Sequence, residues 1–464
     1  MSAKIDPVEE VLPISRLLAL GMQHVLVMYA GAIVVPLVIG RALKLPPEDV
    51  AFLISADLFA CGLATLVQCV GFPGVGLRLP VMMGVTFTSV APALAMAATP
   101  GVGLAAIYGS VTAAGIFGII AAPFVGRLLP LFPPVVTGTI ILVIGITLIP
   151  VGINWAGGDL PTLTRVVDGV AGSFPNPDFG QLPGLGISLF VLLFILGLIK
   201  WGSGLIANLS VLLGIIAGAI LASALGVMHF DKVDAAPWLH IVTPMRFGIP
   251  QFPLVPVITM CIVMLVTMIE SLGMFFALGE ITGKAIDREA VVRGLRADGV
   301  GTVLGGIFNT FPYTSFSQNV GLVSITGVRS RWVTATGGCI LLLLGVLPKL
   351  AALIEALPPA GLGGAGLVMF GMIAASGARI LANVDFKYNQ HNLFVVAISL
   401  GFGMIPLAAP GLFQYLPHYL EPLLNSGILL CAVAAVLLNA FFNALGENAD
   451  AKADAEGVAS PQHV

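Results

Sequence analysis

The sequence predicts an all-α polytopic membrane protein of fourteen spans, arranged as two inverted sets of seven, with spans three and ten broken into a short β-strand plus a half-helix. Three observations carry this: the composition, the distribution of basic residues, and two proline-interrupted segments half a chain apart. Of 464 residues, 58% are hydrophobic and 9% are charged, with a mean hydropathy of +1.05. Soluble domains carry about 25% charged residues, and a soluble chain of this length would divide into domains joined by polar linkers. The composition argues against a soluble enzyme or a disordered regulator. A net charge of −3 without a basic run argues against nucleic acid as a partner.

Residues 1–14 include Asp6, Glu9 and Glu10, too acidic for the start of a cleavable signal, and read as a cytoplasmic N-terminal segment. A crossing needs about 20 apolar residues. Uninterrupted stretches run near Ser15–Ile39, Val50–Phe72, Val102–Phe124, Pro134–Asn154, Leu182–Ile199, Gly202–Val227, Phe252–Leu278, Trp332–Leu353, Gly361–Leu381, Leu393–Leu407 and Leu423–Phe442. Leu79–Ala97, Val291–Ile307 and Tyr313–Thr326 are apolar but interrupted, and bring the total to fourteen. The polar, Ala/Asp-rich residues 445–464 are expected to be a disordered cytoplasmic tail. The five cysteines sit singly in apolar stretches and read as packing residues.

Charge supports the count. With the N-terminus inside, only six of the twenty Lys and Arg (Arg41, Lys44, Arg165, Lys232, Arg246 and Lys349) fall in outer loops. Omitting one interrupted span would invert every later loop and strand basic residues outside, against the positive-inside rule. An odd number of spans per half makes the second half inverted, a common transporter plan. The interrupted segments read Leu79-Pro80-Val81-Met82-Met83-Gly84-Val85-Thr86-Phe87 and Phe311-Pro312-Tyr313-Thr314-Ser315-Phe316-Ser317-Gln318-Asn319. Each has a proline, a short β-branched, aromatic and hydroxyl run, then a helix-like stretch, and Phe87 and Gln318 lie 231 positions apart. Irregular backbone at membrane depth survives only when buried in protein or lining a cavity. Two extended pieces can pair with each other and lead into half-helices whose N–H ends suit an anionic or carbonyl-rich ligand. Two ordinary kinked helices are the alternative.

Ionisable groups inside spans cost about 2.5–3.5 kcal/mol each on insertion scales and call for a reason. Glu270 sits mid-span and Asp298 follows the basic Lys284–Arg296 loop; Asp57 and His24 lie in spans two and one. A carboxylate facing a cavity can bind ligand N–H groups or carry a proton, and a structural hydrogen bond is the alternative for each. No phosphate-loop sequence, metal-ligand cluster or hydrolase nucleophile motif is present, so neither a metal nor any other cofactor is expected. A carboxylate beside broken helices, without a nucleotide site, points to ion-coupled secondary transport with H⁺ as the simplest coupling ion.

The stretch Gln318-Asn319-Val320-Gly321-Leu322-Val323-Ser324-Ile325-Thr326-Gly327 resembles the signature of the nucleobase–ascorbate transporter family at all its fixed positions. Glu270-Ser271-x-Gly273, Gln23-His24, Ser55-Ala56-Asp57, Gly84-x-x-Phe87 and the Asp298–Gln318 spacing are also similar to family positions, from about Ser15 to Phe442. The resemblance implies that Glu270 and Gln318 hydrogen-bond a purine base. Phe87 and Ser317 would complete the pocket, Asn319, Thr326 and Gly327 would shape selectivity, and Asp298, His24 and Glu270 itself would support proton coupling and geometry. It also implies core domains over 15–125 and 250–356, gate domains over 126–228 and 357–444, and a homodimer in the inner (plasma) membrane with both termini cytoplasmic. A carboxylate accepts ring N–H donors and a carboxamide pairs with an amide-like ring edge.

Many xanthine-selecting members resemble Glu-Ser-x-Gly-Asp here, whereas this chain has Met274. Gln318 and Gly327 resemble the bacterial branch for oxidised purines, and the missing acid favours uric acid over xanthine. The expectation is proton-coupled import of uric acid. An inorganic-anion exchanger or channel of the same seven-plus-seven plan would not need a Glu/Gln pair, and a lipid-acting membrane enzyme has no motif to support it.

Overall fold

The computed structural model describes residues 6–128, 131–158, 160–167 and 170–444; the tail expected over 445–464 and the first five residues of the N-terminal segment lie outside them. The first half holds α1 (Ile14–Ala42), α2 (Pro47–Cys69), β1 (Met83–Val85), a 3₁₀ turn at Phe87–Ser89, α3 (Val90–Ala98), α4 (Leu104–Ala121), α5 (Val125–Leu128) and α6 (Pro134–Ala156). It continues through β2 (Thr162–Val167), β3 (Val170–Pro175), α7 (Leu182–Trp201), α8 (Leu205–Asn208), α9 (Ser210–Ala224) and α10 (Asp231–Ala235). The second half holds α11 (Leu254–Thr282), α12 (Arg288–Ile307), β4 (Tyr313–Ser315), α13 (Ser317–Thr326), α14 (Arg331–Gly345) and α15 (Pro348–Glu355). It ends with α16 (Pro359–Leu381), α17 (His391–Ala408), α18 (Glu421–Leu424) and α19 (Gly427–Asn439).

Local chemistry sets many of these boundaries. Prolines open α2, α6, α15 and α16 at the first helical position, where the missing N–H costs nothing. Asp287, Ser330 and Ser426 cap α12, α14 and α19 by accepting backbone N–H groups.

Among the described residues, eight helices are long and apolar enough to cross a membrane, or ten if each of two bent pairs is one span. The chain is a multi-pass, mostly helical membrane protein. The expected span Trp332–Leu353 is α14 and α15 meeting at 77°, and the stretch Leu423–Phe442 belongs to a pair bent by 73°. Pro348, which opens α15, cannot extend a helix running into it from α14. Val291–Ile307, read as interrupted, is part of the continuous helix α12. Its glycines lower hydropathy while admitting a close neighbour: a Cβ on Gly299 would stand 2.9 Å from the Gly115 carbonyl oxygen of α4. The β2–β3 hairpin was not expected from the sequence.

The helices pack in two groups. In one, α12 and α11 lie on α4, while α14, α1, α12 and α15 surround α2. In the other, α16 runs along α6 in the most extensive helix contact of the fold, flanked by α7, α9, α17 and α19. The broken segments sit where the groups meet, with α3 touching α18 and α19.

Candidate functional site

Pro80 and Pro312 deny their segments a helical N–H, and the chain runs extended after each. The two short strands then pair: β1 and β4 are antiparallel, with Met83 opposite Ser315, Gly84 opposite Thr314 and Val85 opposite Tyr313. Two more bonds extend the ladder, from Thr86 N–H to the Pro312 carbonyl (2.9 Å) and from Phe316 N–H to the Met82 carbonyl (2.9 Å). Backbone that is irregular at membrane depth is thereby satisfied across the two halves of the sequence.

Each strand leads into a helical start. After β1, Thr86 accepts the Thr88 N–H (3.2 Å) and Ser89 donates to the Thr86 carbonyl (2.9 Å), which fixes the turn carrying Phe87. After β4, α13 begins without a side-chain cap. Asn319 and Val320 donate back to the Phe316 carbonyl, which leaves the Ser317 and Gln318 N–H groups at the helix start without an intrahelical acceptor. Ser317 and Gln318 are exposed, and the Gln318 carboxamide accepts from the neighbouring Ser317 hydroxyl (3.3 Å).

Glu270, on α11, is half-buried beside the Thr86 hydroxyl. Its neighbour Ser271 fixes α11 to the strand pair: Ser271 Oγ lies 3.1 Å from Thr314 Oγ1 and accepts the Ser315 N–H (3.3 Å). Helix α11 also packs on the Phe87 turn and on α13, so Glu270, Phe87, Ser317 and Gln318 gather around the ends of β1 and β4.

Asp298 is fully buried behind this cluster. Gln68 of α2 donates from Nε2 to Asp298 Oδ1 (2.9 Å) and to the Gly294 carbonyl (3.1 Å), while its Oε1 accepts the Leu77 N–H (2.8 Å). Among the described residues, no donor meets Asp298 Oδ2 at hydrogen-bond geometry. Ser271 of α11 is a polar neighbour of Asp298: its hydroxyl accepts the Ser315 N–H and can turn its own proton toward Thr314 or Asp298.

His24 and Asn319 form one buried unit. Asn319 Nδ2 donates to the His24 carbonyl (2.8 Å) and faces His24 Nδ1 (3.1 Å). A donating amide requires Nδ1 to be the acceptor, so the neutral ring carries its proton on Nε2. His24 thus anchors α13 to α1. Asp57, also buried, accepts from the Tyr313 hydroxyl (2.7 Å) and the Cys61 thiol (3.7 Å), tying β4 to α2.

Met274 lies one turn beyond Glu270, half-buried against the core. Thr326 and Gly327 sit at the opposite end of α13 from Gln318, about 12 Å away by helical rise. There Thr326 donates to the Leu322 carbonyl (2.8 Å), and Gly327 ends the helix at φ +66°, a conformation glycine adopts without strain. The structure keeps these two apart from the Glu270 cluster. Sequence reading missed the roles of Gln68, Thr86 and Tyr313; only the polarity of Gln68 and Thr86 inside apolar stretches could have flagged them.

The Permease family model matches residues 15–412. The chain belongs to the nucleobase–ascorbate transporter family. Among its family relatives, it is 49% identical over 446 residues to the uric acid transporter UacT of Escherichia coli strain K12, covering 96% of this chain and 90% of that protein. It is 43% identical to the uric acid permease PucJ of Bacillus subtilis strain 168, covering 92% and 93%. The xanthine permease of the same organism is 42% identical, covering 92% and 94%. Two solved structures share the fold. One is the transmembrane domain of a cyanobacterium bicarbonate transporter, BicA, with a TM-score of 0.54 at 18% identity, covering 92% of this chain and 100% of that one. The other is the murine anion transporter Slc26a9, inward-facing, with a TM-score of 0.59 at 14% identity, covering 94% and 70%. At those identities the likeness is one of fold alone.

Proposed function

We propose that this family member is a permease that imports a purine base, uric acid, in symport with H⁺ across the inner (plasma) membrane. The observation that supports the reading is that α11, which holds Glu270, packs both on the Phe87 turn and on α13, whose uncapped start holds the exposed Gln318. Glu270 accepts ring N–H donors of the base. Gln318 offers both NH₂ and C=O to an amide-like edge. The Ser317 and Gln318 N–H groups meet a ring carbonyl, and Phe87 packs on the base face. A base with the wrong donor pattern leaves buried groups unpaired, at about 1–3 kcal/mol each. The names of UacT and PucJ favour uric acid, and xanthine is the nearest alternative.

Asp298 is the proton site in this reading. Gln68 holds one oxygen, and among the described residues no donor meets the other at hydrogen-bond geometry; a buried acceptor in that position is relieved when it carries a proton and can itself donate. Asn319, held by His24, sets the entry of α13. Met274 tunes selectivity next to Glu270, with Thr326 and Gly327 acting from the far end of the helix.

The proposed topology is fourteen spans in two inverted sevens, supported by the pairing of β1 with β4 and by basic-residue placement, with both termini cytoplasmic. The two helix groups support a core domain (15–125 and 250–356) working against a gate domain (126–228 and 357–444). The working unit is taken to be a homodimer in membrane lipid. Uptake of labelled uric acid into cells, with xanthine, uracil and sulfate as competitors, tests the substrate. Glu270→Gln, which replaces an acceptor-only group with one that also donates, is expected to lower uptake at least a hundredfold at normal membrane abundance. Near-normal uptake by that variant, or competition by sulfate alone, removes the base-binding reading.

A further inference from the structure

Phe87 is half-buried, and part of what covers it belongs to the other helix group. Phe370, on α16, meets it edge-on, with ring centroids 6.2 Å apart and planes at 84°. Phe370 in turn packs against Trp155 of α6, at 6.3 Å and 44°. Phe370 is fully buried and Trp155 nearly so. The Phe370 ring also faces two glycines: a Cβ on Gly152 of α6 would stand 3.4 Å from its Cδ2, and one on Gly366 of α16 3.4 Å from its Cε2, both at ordinary contact distance. Full burial in a close-packed interior limits how far the ring can turn.

We propose that Phe370 is a positioning residue for Phe87, and that the Phe87–Phe370–Trp155 contact reports occupancy of the base site to the α6–α16 pair. The inference rests on the reading above in which Phe87 packs on the base. An aromatic pair is favourable only over a limited range of ring angles. A base on the free part of the Phe87 ring restricts that ring, and the restriction is felt at Phe370 and, through their contact, at Trp155. The contact crosses between the two helix groups, so any displacement of one group against the other remakes or breaks it. Base binding and the relative placement of the groups are then linked, as a ligand shifts a conformational equilibrium by its differential interaction with the two states.

Proximity alone does not establish such coupling, so the test reads Trp155 directly. The chain has four tryptophans, and Trp201→Phe, Trp238→Phe and Trp332→Phe leave Trp155 as the only one. That protein, labelled with 5-fluorotryptophan, is followed by fluorine NMR while uric acid binding is measured separately with radiolabelled ligand. The Trp155 resonance is expected to shift as uric acid saturates the protein. In Phe370→Leu, which keeps apolar bulk but removes the ring edge, uric acid still binds, about two- to tenfold more weakly, and the resonance no longer shifts. Phe370→Met gives the same loss and serves if the leucine variant does not fold. A resonance that stays in place while uric acid is bound, or that shifts equally in the Phe370 variants, overturns the proposal. Absence of uric acid binding to the unsubstituted chain refutes the substrate reading beneath it, a separate result on a separate measurement.

Discussion

Gly84→Ala is the most direct test of how the strand pair positions the site. Gly84 sits opposite Thr314 in the β1–β4 register, and the Phe316 ring lies over it. A Cβ at position 84 would stand 3.1 Å from Phe316 Cζ and overlap two other ring carbons more deeply. Ordinary carbon contacts lie at about 3.5–4.0 Å, so the ring must retreat by on the order of 1 Å. The other side gives no relief, because the ring also rests on Gly31 of α1, where a Cβ would stand 2.8 Å from Phe316 Cε1. Overpacking of this kind costs about 1–3 kcal/mol. Phe316 is the residue before α13, and its carbonyl receives the first helical bonds from Asn319 and Val320. The displacement therefore passes to Ser317 and Gln318. A 1 Å misplacement of positioning groups lowers rates by roughly a hundredfold. The expected result is uric acid uptake reduced by one to two orders of magnitude, read as initial rates at matched membrane abundance. Gly84→Ala combined with Phe316→Leu makes room for the new methyl and is expected to recover part of the loss. Gly84→Ala with unchanged uptake, or a double variant worse than the single one, refutes the argument that this contact sets the entry of α13.

Two further outcomes follow from the proposed roles. Uric acid uptake rises with an inward pH gradient and collapses with a protonophore, and Asp298→Asn, whose amide cannot exchange a proton, keeps binding but loses the response to the gradient; uptake that follows Na⁺ and ignores pH refutes the proton assignment. Met274→Asp places a second acid one turn from Glu270 on α11, and is expected to weaken uric acid transport while improving recognition of xanthine; a preference unchanged in competition assays removes Met274 from selectivity.

The residues that break the helices were legible in the sequence because their cause is local. Pro80 and Pro312 cannot donate a helical N–H, and the β-branched runs after them favour extended backbone, so both broken segments and their pairing could be anticipated. The signature at Gln318–Gly327 and the acid at Glu270 were legible for a similar reason: a polar side chain in a strongly apolar stretch stands out by composition. The reading went astray where hydropathy stood in for geometry. The glycines of α12 lowered its apolar score, yet they serve a close approach to α4 that only the packed structure displays.

Composition and local pattern by themselves determined that this chain enters a membrane, that the segments after Pro80 and Pro312 leave the helix, and which family's signature it carries. Tertiary structure decided the partners. Gln68 meets Asp298 across 230 positions, Asn319 meets His24 across 295, and Tyr313 meets Asp57 across 256. Phe87 finds Phe370 on the other helix group. Sequence patterns report what each residue does to its own few turns of backbone. Which buried donor finds which acceptor depends on how whole helices dock, and that is settled by packing and by the cost of leaving any polar group unpaired in an apolar interior.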